Sequence, residues 1–191
     1  MLFVDIRHFT TLTETRLPFD VVFLLNRYFA IIGKAVEQAG GRLDKFIGDG
    51  AMALFGLNTK PEEACRQALN AAAAIVAEIE NSPQNSPTNW RCRCASRSAF
   101  PPGPAVVGTM GYGRVRSMTA ISDTVNVASR LESAAKEFEA AIVISNRWRA
   151  FRVLTSPASK AVKSVYAAGP CPPKVYVIPR EKAAEPLEGK D

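Results

Sequence analysis

A layered fold of helices on a sheet, either α/β or α+β, follows from three observations on this 191-residue chain. Apolar runs of strand length alternate with two long stretches of helical period, and glycines stand at the junctions between them. The order is strand, helix, hairpin, helix. Elements that alternate in this way bury their apolar faces by stacking as layers. With 47% hydrophobic and 22% charged residues, the composition is that of a globular protein long enough to bury a sizeable core.

Leu2-Phe3-Val4 is a β-type run that ends at Asp5, and a helical stretch starts near His8. Between Phe19 and Ala39, Val21, Val22, Leu24, Leu25, Tyr28, Phe29, Ile32 and Val36 follow the 3.6-residue period of an amphipathic helix, which Gly40-Gly41 stops. Gly41 to Phe46 and Ala51 to Phe55 read as short strands. Gly48 and Gly50 give the loop between them its backbone freedom, with Asp49 at the tip. Lys60 to Glu80 is a second helix: Pro61 suits the first turn, Glu62 and Glu63 suit its positive end, and an alanine-rich body follows.

The character changes between Asn81 and Pro104. A linker-like Asn-Ser-Pro-Gln-Asn-Ser-Pro-Thr-Asn precedes Arg91 to Phe100, where Arg91, Arg93 and Arg97 share one parity. Turning all three toward a sheet core costs several kcal/mol, so a damaged strand is expected there. Cys/Arg/Ala/Ser-rich text is also what GC-rich codons yield when read one base out of frame, which makes a shifted frame over about residues 81–102, and likewise over 156–173, a hypothesis that resequencing the gene tests; an intact frame rejects it. Order returns at Ala105-Val106-Val107-Gly108, and the Gly-punctuated stretch to Gly113 leads into Val115 to Ile121, one arm of a hairpin. Thr124 to Ala135 reads as a helix with Asn126 and Arg130 on one face. Ala141 to Ser145 is a strand. Beyond Phe151 the pattern decays, and residues 179–191 read as a solvated charged tail after one domain spanning 1–178.

No apolar run approaches the ~20 residues of a membrane span, and the start lacks the basic and apolar regions of a signal peptide. A cytoplasmic location is therefore expected. Met1, one residue before the first strand, suggests a catalytic fragment whose sensor or membrane part lies upstream. Cys65, Cys92, Cys94 and Cys171 form no C-x-x-C pair and His8 is the only histidine, which argues against structural zinc and against a histidine base. The net charge of +6 comes from scattered Lys and Arg. It fits a small polyanionic substrate, and nucleic-acid binding is not expected.

Chemistry concentrates at two strand ends. Asp5 closes the first strand and Asp49 tips the glycine hairpin. A pair of carboxylates completed by substrate phosphates is the usual protein site of a hard cation such as Mg²⁺.

Four ordered blocks carry a resemblance: Phe3-Val4-Asp5-Ile6-Arg7-His8-Phe9-Thr10, Leu24-Leu25-Asn26-Arg27-Tyr28-Phe29, Asp44-Lys45-Phe46-Ile47-Gly48-Asp49-Gly50, and Ser122-Asp123-Thr124-Val125-Asn126-Val127-Ala128-Ser129-Arg130-Leu131-Glu132. Together they resemble the catalytic domain of class III adenylate/guanylate cyclases. The resemblance implies an α+β, ferredoxin-like βαββαβ sandwich used as a head-to-tail homodimer. It also implies conversion of a nucleoside triphosphate to its 3′,5′-cyclic monophosphate and pyrophosphate, with two Mg²⁺ or Mn²⁺ ions per site. Asp5 and Asp49 match the metal-binding aspartates, with the Ile6 carbonyl as a further ligand. Phe9 and Thr10 match the helix start that holds the terminal phosphates.

Lys45 matches the purine-reading lysine, and Thr119 falls where bacterial adenylate cyclases often carry a threonine that reads the adenine edge. A lysine donates to adenine N1 and a hydroxyl accepts from the 6-amino group, whereas guanine presents the opposite pattern; ATP is the expected substrate. From the partner chain, Asn126 would orient the ribose and Arg130 would neutralise the phosphate in flight, with Arg114 or Arg116 as a further contact. The sequence departs from the family at Ser122 and His8, where glycine is frequent, and at the late transition-state lysine. Lys160 and Lys163 are candidates for that lysine, although anchoring on Val175-Tyr176-Val177 puts Ala167 in its place. A cyclase-like module that binds nucleotide or dimerises but turns over poorly therefore stays open beside the active enzyme.

Overall fold

Strand β1 (Leu2–Ile6) has a neighbour on each side in a seven-stranded sheet. The structure is a computed structural model and describes residues 1–14, 16–80, 92–96, 106–113, 115–121, 141–145, 160–162 and 175–178. After β1 come α1 (Phe9–Glu14), α2 (Pro18–Gln38), β2 (Arg42–Ile47), β3 (Gly50–Leu54), α3 (Pro61–Glu80) and β4 (Cys92–Ser96). The hairpin β5 (Val106–Tyr112) and β6 (Val115–Ile121) forms a sheet of its own, and β7 (Ile142–Ser145), β8 (Lys160–Val162) and β9 (Val175–Ile178) complete the large one.

The large sheet is ordered β2-β3-β1-β4-β7-β9-β8. Its first four strands, with α2 and α3 as the connections from β1 to β2 and from β3 to β4, are the βαββαβ core of an α+β sandwich. β1 runs antiparallel to both β3 and β4, and β4 runs parallel to β7. Leu2, Val4 and Ile6 alternate onto the core with Tyr28, Ile32 and Val36 of α2 and Leu69, Ala72, Ile75 and Val76 of α3. The intervening Phe3 is buried with Met52 in a separate cluster, as period-two alternation requires. Pro18 at the start of α2 and Gly40 at φ 78 just beyond it bound that helix. Among the described residues, no helix is long and apolar enough to cross a membrane.

At the place where damage to the central strand is expected, residues 92–96 form β4. Cys92–Ser96 pairs with β1 from Leu2↔Ser96 to Ile6↔Cys92, and with β7 from Cys94↔Ile142 to Ser96↔Ile144. Of the three arginines, Arg93 alone lies inside this strand, opposite Asp5. Arg91 and Arg97 lie outside the described residues. Two further differences concern short elements: the Gly-punctuated stretch is itself strand β5 as far as Tyr112, and β8 and β9 follow Phe151 where the pattern decays. Strands of three and four residues are too brief to show a period. The helix expected at Thr124 to Ala135, with Asn126 and Arg130, lies outside the described residues, as do Ser122, Arg114, Lys163, Ala167 and the tail 179–191.

Candidate functional site

The hairpin between β2 and β3 closes on the pair Ile47↔Gly50, leaving Gly48 and Asp49 as a two-residue turn. Gly48 takes φ 61, the left-handed region that glycine enters at no steric cost. Gly50 serves close approach instead. A Cβ there would lie 3.0 Å from the Val4 carbonyl oxygen, 3.3 Å from that of Ile47 and 3.7 Å from Asp5 Oδ1. The Asp5 carboxylate therefore rests against the residue that follows Asp49, and the two aspartates, both half-buried, share one end of the sheet. Gly50→Ala is expected to push β3 from β1 at a cost of about 1–3 kcal/mol, read as a lower Tm together with weaker Mn²⁺ binding by calorimetry.

Past Ile6, the last residue of β1, Arg7 and His8 turn the chain into α1, whose first residues are Phe9 and Thr10. Their backbone N–H groups are among those a helix start leaves without an intrahelical acceptor. His8 is exposed at φ 56, the one described non-glycine residue with positive φ. That conformation explains why glycine suits this position, and it strains histidine by about 1 kcal/mol. His8→Gly should accordingly raise Tm by about 2–4 °C, checked by thermal melting.

On β2 the register shifts between Leu43, opposite Ala53, and Lys45, opposite Met52. In a regular strand Asp44 and Lys45 point to opposite faces. The bulge turns both toward β6. Lys45 Nζ donates to Thr119 Oγ1 at 2.5 Å, Thr119 Oγ1 donates to Asp44 Oδ2 at 3.0 Å, and Lys45 Nζ lies 3.4 Å from the same carboxylate oxygen. Thr119 is buried, the Asp44 side chain is 1% exposed, and that of Lys45 is 36% exposed. The next residue, Phe46, faces the other way and stacks on Phe29 at 4.0 Å between ring centroids.

Lys45 and Thr119, 74 positions apart in the chain, are thus brought together by the hairpin β5–β6 docking beside β2. Asp44 was absent from the expected site residues; only the bulge gives its side chain this direction, and no residue pattern announces a bulge here. Arg116 is exposed on β6 opposite Gly111, and Lys160 lies on the edge strand β8. Cys65 lies buried in the core. Among the described residues no group of three or more His, Cys, Asp or Glu forms a cation cage. Two carboxylates at one sheet end beside the Ile6 carbonyl are an all-oxygen donor set, which fits a hard divalent cation whose other ligands are phosphates and water.

Comparison with known proteins identifies the family and the fold. The Adenylate and Guanylate cyclase catalytic domain family matches residues 1–178. An adenylate cyclase of Anabaena cylindrica is 35% identical over 170 residues, 86% of this chain and 32% of that protein. The chain thus spans about a third of that relative and less of others, 7% of a Dictyostelium discoideum adenylate cyclase. Among solved structures, the adenylyl cyclase CyaB from P. aeruginosa superimposes with a TM-score of 0.80 at 26% identity, over 93% of this chain and 91% of that one. The guanylate cyclase domain of RhGC from Catenaria anguillulae, in complex with GTP, shares the fold with a TM-score of 0.77 at 22% identity, over 92% of each chain. By sequence and by fold, the chain belongs to the family of class III adenylate and guanylate cyclase catalytic domains.

Proposed function

We propose that the chain is the catalytic domain of an adenylate cyclase, spanning residues 1–178, which converts ATP to 3′,5′-cyclic AMP and pyrophosphate. The observation that carries this reading is the contact of Lys45 with Thr119 on a face shared with Asp44. An ammonium that donates to N1 and a hydroxyl that accepts from an exocyclic amine match adenine and mismatch guanine. The adenylate cyclases of Anabaena cylindrica and Rhizobium meliloti, 35% and 34% identical, support the same base.

Asp5, Asp49 and the Ile6 carbonyl would hold the divalent cations, which when bound lower the pKa of the ribose 3′-hydroxyl and offset charge on the pyrophosphate. The N–H groups of Phe9 and Thr10 would hold the terminal phosphates. The ribose 3′-hydroxyl and the α-phosphorus are already joined in ATP, so the site supplies their alignment, a part of the roughly 7–11 kcal/mol that a well-oriented intramolecular attack is worth. Asn126 and Arg130 of a second copy would complete the site, the first orienting the ribose and the second meeting charge on the phosphate.

Purified protein with Mg²⁺ or Mn²⁺ should form cyclic AMP from ATP at least about tenfold faster than cyclic GMP from GTP. No cyclic product from either nucleotide, with ATP still bound, would favour the poorly active nucleotide-binding module. The head-to-tail homodimer is tested by complementation. Asp49→Ala and Asn126→Ala, each inactive alone, should recover about a quarter of wild-type activity when mixed in equal amounts. Random pairing makes about half the dimers mixed, with one of two sites intact in each. No recovery despite subunit exchange would place all the catalytic groups in one chain.

A further inference from the structure

We infer that Asp44 is a positioning residue for base selection: its carboxylate takes the only proton of the Thr119 hydroxyl and so commits that oxygen to accepting a hydrogen bond from the purine. This deepens the proposed adenine reading and rests on it. A threonine hydroxyl has one proton and two lone pairs, and left free it rotates to suit either a donor or an acceptor. Here Thr119 Oγ1 donates to Asp44 Oδ2 at 3.0 Å and accepts from Lys45 Nζ at 2.5 Å. The proton and one lone pair are spent on protein. What remains for a ligand is a single lone pair, which matches the 6-amino group of adenine and repels the 6-oxo group of guanine.

The device needs a dry carboxylate, because water would compete for the hydroxyl proton. Asp44 meets that condition, with a side chain 1% exposed beside a buried Thr119. It also needs residues 44 and 45 on one face, which the register shift between Leu43 and Lys45 provides. Lys45 retains N–H donors for adenine N1, since an ammonium has three. The bulge therefore builds the donor and the committed acceptor of an adenine reader from adjacent residues and one threonine of β6.

One substrate pair isolates this hydrogen bond. Purine riboside 5′-triphosphate keeps N1 for Lys45 but lacks the 6-amino group. The wild type should prefer ATP over it by about tenfold in kcat/KM, the worth of one such bond. Asp44→Ala removes the acceptor, frees the hydroxyl and should bring that preference down to about twofold or less, while relative use of GTP rises. In a Thr119→Val background, the same Ala substitution should leave the preference unchanged.

Asp44→Leu, a near-isosteric replacement without an acceptor, reads the same ratio if the Ala variant fails to fold. Equal losses for ATP and purine riboside triphosphate in the Asp44 variants would reduce Asp44 to a purely structural role and overturn the inference, leaving the adenine reading intact. A wild type that neither binds nor cyclises ATP would remove that reading and the inference together. Equilibrium binding of both triphosphates to the same variants separates the two failures.

Discussion

Asp49→Ala is expected to lower cyclic-nucleotide formation by a factor on the order of a thousand, because removing one carboxylate from a two-cation site takes away a charge that acts on the developing transition state. Folding should be little affected. Asp49 sits in a two-residue turn, and the left-handed φ of that turn is borne by Gly48. Substitution at this half-buried turn position is expected to change stability by about 1 kcal/mol. The variant should therefore melt near the wild type while losing activity in both Mg²⁺ and Mn²⁺. A variant that keeps full activity would show that the cations are held elsewhere, and the convergence of Asp5 on Gly50 would then be a packing feature only.

The parts of the fold that were legible in the sequence are those with a long period or a local turn rule. α2 begins and ends within a residue of the expected Phe19 to Ala39, since eight apolar positions at helical spacing leave one solution. The β2–β3 hairpin was equally readable from Gly48 and Gly50. β4 was judged from three arginines, of which Arg93 is the one in Cys92–Ser96, the described segment that pairs with both β1 and β7.

Site residues divide in the same way. Asp5 and Asp49 were visible as strand-end carboxylates, and the sheet register alone brings them to one end. Lys45 and Thr119 could be paired only through the family resemblance, because their contact depends on how the β5–β6 hairpin docks beside β2. Asp44 escaped notice for a physical reason: strand alternation assigns it to the face opposite Lys45, and a bulge overrides alternation without leaving a residue pattern.

Lys45→Met should produce two separable losses. The first is catalytic: without a donor at purine N1, kcat/KM for ATP should fall by about a hundredfold, as for other sites whose polar substrate group loses its partner. The second is structural. Asp44 keeps the Thr119 hydroxyl but loses the cation 3.4 Å from its carboxylate, at a side chain only 1% exposed. Leaving that charge less compensated costs about 1–3 kcal/mol, discounted from fully buried pairs because the Lys45 side chain is 36% exposed and its charge is screened by water. Adding Asp44→Asn to Lys45→Met removes the stranded charge, so the double variant should regain most of the lost Tm while ATP use stays low. Stability and catalysis that rise and fall together across the set would mean that Lys45 serves the fold alone. Stability that recovers while ATP turnover stays low would identify Lys45 as a residue that touches the base.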